Sequence, residues 1–310
     1  MTDAPELIAG YDPFAAARGR PDGSSLRSYL LVDVFTDAPL EGNQLAVLTD
    51  AGDISGEQMQ RVARELNLSE TVFVLPPRAG GDVRIRIFTP TTEMPFAGHP
   101  VLGCAIVVAG ALDRTEVTLE TEIGAIDVAV EPPAGPARFG RMQQPIPTWA
   151  PFERERDLLE ALGVERSGLP VEVYCNGPRH VFVEAAGEPA LVALAPDLRA
   201  LEGFGALTIS CFAGAGSRWK TRMFAPGLGV AEDPATGSAA GPLAVHLSRH
   251  GRIAFGEEIA IRQGEEIGRP SLLRARAEGS ARDIQRVEVG GSAIVVARGE
   301  LLIPRPPAGR

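Results

Sequence analysis

The sequence predicts an α/β chain built twice, as two similar lobes that each run from strands through a tight turn into a buried helix. Three observations predict it. The stretch IFTPTTEMPFAGHPVLGCAIVV (Ile87 to Val108) returns in looser form as MFAPGLGVAEDPATGSAAGPLAVHL (Met223 to Leu247), with Glu93, Pro95 and Gly98 at the spacing of Glu232, Pro234 and Gly237. Each half also opens on strand, Gly/Asn turn, strand: YLLVDVFT, APLEGN and QLAVLTD in the first, VEVYCNGPRHVFVE in the second. The two landmarks keep their order over a period far longer than a solenoid repeat, which argues for an internal duplication. Finally, the runs after Gly98 and Gly237 are apolar and nearly free of charge, as suits helices enclosed by sheet.

Taken in order, residues 1–28 (MTDAPELIAGYDPFAAARGRPDGSSLRS) read as a loose tail, without the charged start, hydrophobic core and small-residue cleavage site of a secretory signal. Regular alternation begins at Tyr29 with the first hairpin. Ser55 to Leu66 carries apolar residues at Met59, Val62, Ala63 and Leu66, which is helical spacing, with Ser55 and Gln58 placed as a capping box and Asn67 as the stop. LSETVFVL then alternates as a strand, setting Glu70 on one face with Val72 and Val74. In both copies of the organising stretch, Pro forces the preceding residue into extended geometry and Gly admits close backbone approach, so the central helices are expected to begin near Gly98 and Gly237. The Pro-rich segment Gln144 to Pro151 is the expected boundary between lobes.

Composition narrows the function. With 310 residues and 45% hydrophobic content the chain is long enough for sizeable cores. A net charge of −10 leaves no basic footprint for nucleic acid. The three cysteines, Cys104, Cys175 and Cys211, are odd in number and widely spaced, so neither a disulfide framework nor a zinc site is expected, in keeping with a reducing cytoplasm. The longest near-apolar run, Val101 to Leu112, is too short for a membrane span.

The candidate site residues each carry two readings. Glu70 is either a solvated carboxylate at a fraying strand start or a partly buried acid whose pKa burial would raise toward that of a proton-transfer catalyst. His99 is either a packed helix-start residue or a functional one; Asp233 is either a charge favouring the helix dipole or a ligand, and Ser238 either an N-cap or a ligand. The equivalent placement of Gly98-His99 and Gly237-Ser238 favours function, because a helix start offers unpaired N–H groups to an anion. Other motifs fail. Gly214-x-Gly216 and Gly227-x-Gly229 lack the third glycine of a dinucleotide loop, and Gly237-Ser238-Ala239 is no nucleophile elbow. His246 and His250 have metal-gripping spacing but no third ligand in sequence, so with Arg249 they read as last-turn cations before a stop at Gly251.

DVFTDAPLEGNQLAVL, ELNLSETVFVL, RIFTPTTEMPFAGHPVLG, AEDPATGSAAGP and QGEEIGRPS together closely resemble the phenazine-biosynthesis isomerase family of PhzF type, from about Tyr29 to Pro304. RMQQPIPTW, NGPRHVFVE, CFAGAGSRWKTRMF and LAVHLSRHGRIAFG resemble the phenazine-pathway members more than their relatives of unknown substrate. The resemblance implies a diaminopimelate-epimerase-like fold: two pseudo-symmetric lobes, each a curved, mostly antiparallel sheet around a central helix, facing across a cleft. The lobes would be residues 29–145, with a returning strand at about 295–304, and residues 146–294. Such epimerases place one cysteine at each helix start; this chain has Ala97-Gly98-His99 and Thr236-Gly237-Ser238 there, so the resemblance assigns the acid/base role to Glu70.

In the family one carboxyl removes a proton from C3 of trans-2,3-dihydro-3-hydroxyanthranilate and returns one to C1, giving 6-amino-5-oxocyclohex-2-ene-1-carboxylate. Carried over by motif, Glu70, His99 and Asp233 would be catalytic, Gly98, Gly237 and Ser238 would bind substrate, and no cofactor or metal is implied. The implied partners are a small anionic cyclohexadiene amino acid and a second copy of the chain, with no nucleic acid or membrane. Two alternatives stay open in sequence: an isomerase or epimerase of another small amino acid, and a non-catalytic protein that binds a small anion.

Overall fold

The computed structural model describes residues 18–19 and 24–304. Of these, one compact unit holds the residues within Met1–Leu40, Gln44–Met142 and Ser292–Arg310, and the other holds Glu41–Asn43 and Gln143–Gly291. Most of the tail expected over residues 1–28 lies outside the described residues.

The first unit contains β1 (Arg18–Gly19), β2 (Ser25–Val34), β3 (Asn43–Leu48), α1 (Gly56–Leu66), β4 (Glu70–Leu75), β5 (Val83–Phe88), β6 (Glu93–Met94), α2 (Gly98–Leu112), β7 (Glu116–Thr121), β8 (Gly124–Val130) and β9 (Ala137–Gln143). β3 and β4 are parallel, β4, β5 and β6 antiparallel, β5 and β7 parallel, and β7, β8 and β9 antiparallel. The second unit contains β10 (Thr148–Pro151), α3 (Glu155–Leu162), β11 (Glu172–Cys175), β12 (Arg179–Glu184), α4 (Glu188–Val192), α5 (Leu198–Glu202), β13 (Thr208–Ala215), β14 (Arg218–Ala225), β15 (Val230–Asp233), α6 (Gly237–Arg249), β16 (Glu258–Gln263), β17 (Ser271–Ser280) and the first part of β18 (Asp283–Ile303). Its ladder repeats the first: β12 and β13 parallel, β13, β14 and β15 antiparallel, β14 and β16 parallel, β16, β17 and β18 antiparallel. The duplication seen in sequence is therefore a duplication of strand pairing, and the class is mixed α+β.

The same side-chain device recurs at equivalent places. Arg86 on β5 grips Glu93 through Nε and Nη2, both at 2.6 Å, and Arg222 on β14 grips Glu232 at 2.9 and 2.8 Å. Each guanidinium also lies over the phenyl ring two residues on, Phe88 at 5.1 Å and Phe224 at 5.2 Å. The Glu of each Glu-x-Pro motif thus anchors the turn that feeds a central helix, since a bidentate fork fixes both partners' orientation.

Sequence explains most boundaries. Ser55 accepts from the Gln58 N–H while the Gln58 side chain accepts from the Ser55 N–H, so α1 starts on a reciprocal capping box, and it stops where Asn67 turns left-handed at φ 50°. α2 is buried on every side from Gly98 to Ala109 and packs on β2, β4, β7 and β8. Gly103 permits that approach: a Cβ there would meet Val34 Cγ2 at 2.6 Å and Leu45 Cδ2 at 2.8 Å. α6 is buried from Gly237 to Ser248 and packs on β12 and β17. Among the described residues no helix is long and apolar enough to cross a membrane.

One boundary differs from expectation. The strand expected from Tyr29 starts at Ser25, because β2 pairs with the last part of β18 as far as Ser25 opposite Ile303. Arg27, only 5% exposed, secures this end by ion pairs to Asp50 at 3.1 Å and Asp53 at 2.6 Å. Polar residues there hide the strand from a hydrophobic-periodicity reading.

Candidate active site

In the first unit the start of β4 and the start of α2 meet. Glu70 opens β4 opposite Leu45 of parallel β3, and its side chain is 17% exposed. His99, the second residue of α2, is buried and places Nε2 3.3 Å from Glu70 Oε2. Burial pulls the imidazole pKa down to about 3, against the opposing pull of a backbone hydrogen bond to Gln44, so His99 is neutral. The N-cap residue Ala97 gives α2 no side-chain cap. A helix start of this kind is in general an anion-binding element.

In the second unit Asp233 ends β15 and is buried. Its Oδ1 accepts from Asn43 Nδ2 at 2.9 Å and its Oδ2 from Thr236 Oγ1 at 2.6 Å. Desolvation raises its pKa above 3.8, and those two hydrogen bonds hold it down. Gln263 braces the turn, donating to the Asp233 carbonyl at 2.8 Å and Thr236 Oγ1 at 3.0 Å while accepting from Thr221 Oγ1 at 3.0 Å. α6 likewise begins without a side-chain cap. The carbonyls of its first two residues are tied down by amides: Gln144 Nε2 donates to Gly237 O and Asn176 Nδ2 to Ser238 O, both at 2.9 Å.

The first unit therefore brings together Glu70, Gly98 and His99, and the second brings together Asp233, Gly237 and Ser238. Three plain readings from sequence are corrected. Glu70 is not a solvated strand end, because His99 stands against it. Ser238 is not the N-cap; that position falls to Thr236, and Ser238 is the second helical residue. His246 is not a last-turn cation: it is fully buried with its pKa lowered by desolvation, and Glu172 on β11 is the third group that the sequence lacked nearby. Glu172 Oε2 is shared by His250 Nε2 at 2.9 Å, Tyr174 OH at 2.9 Å and Arg249 Nη1 at 2.8 Å. With His246 Nδ1 3.4 Å from the same oxygen, Glu172, His246 and His250 bring three potential ligand atoms within 4.8 Å of one another.

Asn43, Gln144, Asn176, Thr236 and Gln263 had no assigned role in sequence, because an amide brace carries no periodicity. Their one sequence signal is that each falls inside a stretch that carries the family resemblance. Cys104, seven residues into α2, is buried with its thiol pushed up to about 12, so it offers no thiolate to an epimerase-like exchange.

Comparison with known proteins places the chain in a known family. A family profile described as phenazine biosynthesis-like protein matches residues 32–299. The trans-2,3-dihydro-3-hydroxyanthranilate isomerase of Pseudomonas chlororaphis is 55% identical over 278 residues, spanning 90% of this chain and 100% of that one. Among solved structures, a predicted epimerase from Pseudomonas aeruginosa superposes with a TM-score of 0.77 at 32% identity, over 89% of this chain and 99% of that one. A hydroxyproline epimerase from Agrobacterium vitis shares the fold at a TM-score of 0.56 and 13% identity, over 91% of this chain and 93% of that one.

Proposed function

The chain belongs to the phenazine biosynthesis-like family, and we propose that it is a cofactor-independent isomerase that converts trans-2,3-dihydro-3-hydroxyanthranilate to 6-amino-5-oxocyclohex-2-ene-1-carboxylate. The observation that carries the reading is the 3.3 Å approach of His99 Nε2 to Glu70 Oε2. In the tautomer that carries its proton on Nδ1, neutral His99 presents a lone pair at Nε2 toward Glu70. A hydrogen bond between the two groups then exists only while Glu70 carries a proton.

This arrangement gives one carboxyl both halves of a proton shuttle. As a carboxylate Glu70 takes the C3 proton of the diene amino acid. Once protonated it is steadied by His99 until the proton is delivered to C1 on the same face of the ring. The resulting enol tautomerises to the ketone. No electrons leave or enter the substrate, so the reaction balances as a proton moved and double bonds shifted. General acid/base help of this kind contributes ~10²–10⁴ in rate, and holding the ring in register contributes further.

The rest of the site is assigned to binding. We assign Gly98, at the uncapped start of α2, and separately Gly237 and Ser238, at the uncapped start of α6, to substrate binding. Asp233, held by Asn43 and Thr236, retains acceptor capacity for the amine or hydroxyl. We assign the protein to the cytoplasm as a homodimer, with no nucleic acid or membrane as partner.

The test is to incubate purified protein, with nothing added, with trans-2,3-dihydro-3-hydroxyanthranilate in heavy water and follow it by NMR. Consumption is expected, with the C3 hydrogen carried to C1 by Glu70 and one solvent deuteron entering at C4 as the enol becomes the ketone. Inertness toward that compound, with Glu70-dependent exchange on another small amino acid, would move the assignment to the second reading.

A further inference from the structure

α6 contains a defect that its counterpart α2 lacks. Pro242 sits inside the helix, where it has no N–H to give to the carbonyl four residues back, and that carbonyl belongs to Ser238. The proline ring also crowds the same carbonyl and turns it away from the helix axis. In α2 the position equivalent to Pro242 is Gly103, which keeps its N–H, and the proline of that helix is Pro100, the third helical residue, whose partner four residues back is Phe96, outside the helix, so no helical bond is lost. The defect falls one turn into the helix that carries Gly237 and Ser238.

We propose that Asn176 is a positioning residue for this end of the site: it supplies the donor that Pro242 withholds and so fixes the Ser238 turn. Asn176 Nδ2 lies 2.9 Å from Ser238 O. An amide oxygen in that place would set lone pair against lone pair, so the nitrogen must face the carbonyl. The residue stands at the turn between β11 and β12, a rigid hairpin held by four residue pairs, and it is 4% exposed. Gly177 follows at φ 119°, a conformation that suits glycine and lets the turn present the asparagine inward. Its Oδ1 is buried with no hydrogen-bond partner among the described residues. Leaving half of an amide unsatisfied is costly. An alanine at position 242 would have closed the helix without any such brace, so proline and asparagine together trade stability for the placement of one turn. Gln144, donating to Gly237 O, braces the preceding carbonyl from a second direction.

The inference rests on the reading of Ser238 as a substrate-binding residue, and the experiment separates the two. Asn176→Ala, Pro242→Ala and the double variant are compared with wild type in steady-state kinetics on trans-2,3-dihydro-3-hydroxyanthranilate and in thermal melting, with Ser238→Ala alongside. Asn176→Ala is expected to raise KM roughly tenfold or more, with kcat changing less than about threefold, because the turn binds substrate in ground and transition state alike. In the Pro242→Ala background a backbone N–H is restored, so the same Asn176→Ala change is expected to move KM by less than about twofold. If Asn176→Ala alone does not fold, the double variant against Pro242→Ala still reads the coupling. Equal effects of Asn176→Ala in both backgrounds, in KM and in melting, would overturn the brace. Coupling in melting with no KM effect of either Ser238→Ala or Asn176→Ala would leave the brace standing and sink the binding role of Ser238.

Discussion

Thr236→Val tests how a hydroxyl opposes the desolvation of the buried Asp233 carboxyl. Valine keeps the shape of threonine and removes the hydroxyl that donates to Asp233 Oδ2 at 2.6 Å and accepts from Gln263 Nε2 at 3.0 Å. Where Asp233 is ionised, the lost bond to a charged group is expected to destabilise the protein by about 1.5–3 kcal/mol. The pH dependence carries the test. Desolvation raises the folded-state pKa of Asp233 above 3.8, and the Thr236 bond is one of two groups opposing that rise, so its loss lifts the pKa further. A folded-state pKa above the unfolded one means the native state binds the proton more tightly. Its contribution to stability is then present below the unfolded pKa and is lost as pH rises through the folded pKa. The variant should thus suffer more at about pH 7 than at about pH 4, because the bond to a protonated Asp233 is a neutral one of ~0.5–1.5 kcal/mol and the charged fraction falls with pH. Urea unfolding of both proteins at the two pH values measures this. A deficit that is equal at both pH values, or larger in acid, would refute the assignment of a buried, hydroxyl-stabilised carboxylate.

The duplicated Arg–Glu pairs should differ in weight. Arg222 and Glu232 are 9% and 11% exposed, and Arg222 also donates to the carbonyls of Val192 and Leu194, so Arg222→Met is expected to cost about 3–5 kcal/mol in urea unfolding. Arg86 and Glu93 are 28% and 34% exposed, and Arg86→Met should cost only about 0.2–1 kcal/mol after solvent screening. In a native alkylation assay at neutral pH, Cys175 alone is expected to react, since Cys104 and Cys211 are buried with thiols pushed up to about 12; mass spectrometry showing early labelling of either would contradict their burial.

How much of this was legible in the sequence depends on how local each cause is. The α1 capping box and its Asn67 stop are decided within a dozen residues and could be read directly. The starts of α2 and α6 could be read because glycine and proline punctuate both copies. Glu70 stood out because it breaks an apolar alternation, and His99 because it follows a glycine at a helix start. The braces could not be read. Asn43 reaches Asp233 across 190 residues, and Gln144 reaches Gly237 across 93. No periodicity marks an amide that serves a distant carbonyl. His246 was misread for the same reason: its partner Glu172 lies on a strand well before the helix, so the pattern of charges around it pointed to solvent while the fold put it in the core. The early start of β2 was missed because pairing with β18, not apolar patterning, carries the strand back to Ser25.

The central claim is that one carboxyl group, opposed by a neutral imidazole, carries the proton between two carbons. It is tested most directly by turnover of Glu70→Gln against wild type on trans-2,3-dihydro-3-hydroxyanthranilate, with both proteins shown to melt alike. The glutamine keeps the size of Glu70 and removes its acid/base capacity, so kcat should fall by ~10²–10⁴ or more while the substrate still binds. Turnover within about tenfold of wild type, below what general acid/base catalysis supplies, would show that the proton travels by another route.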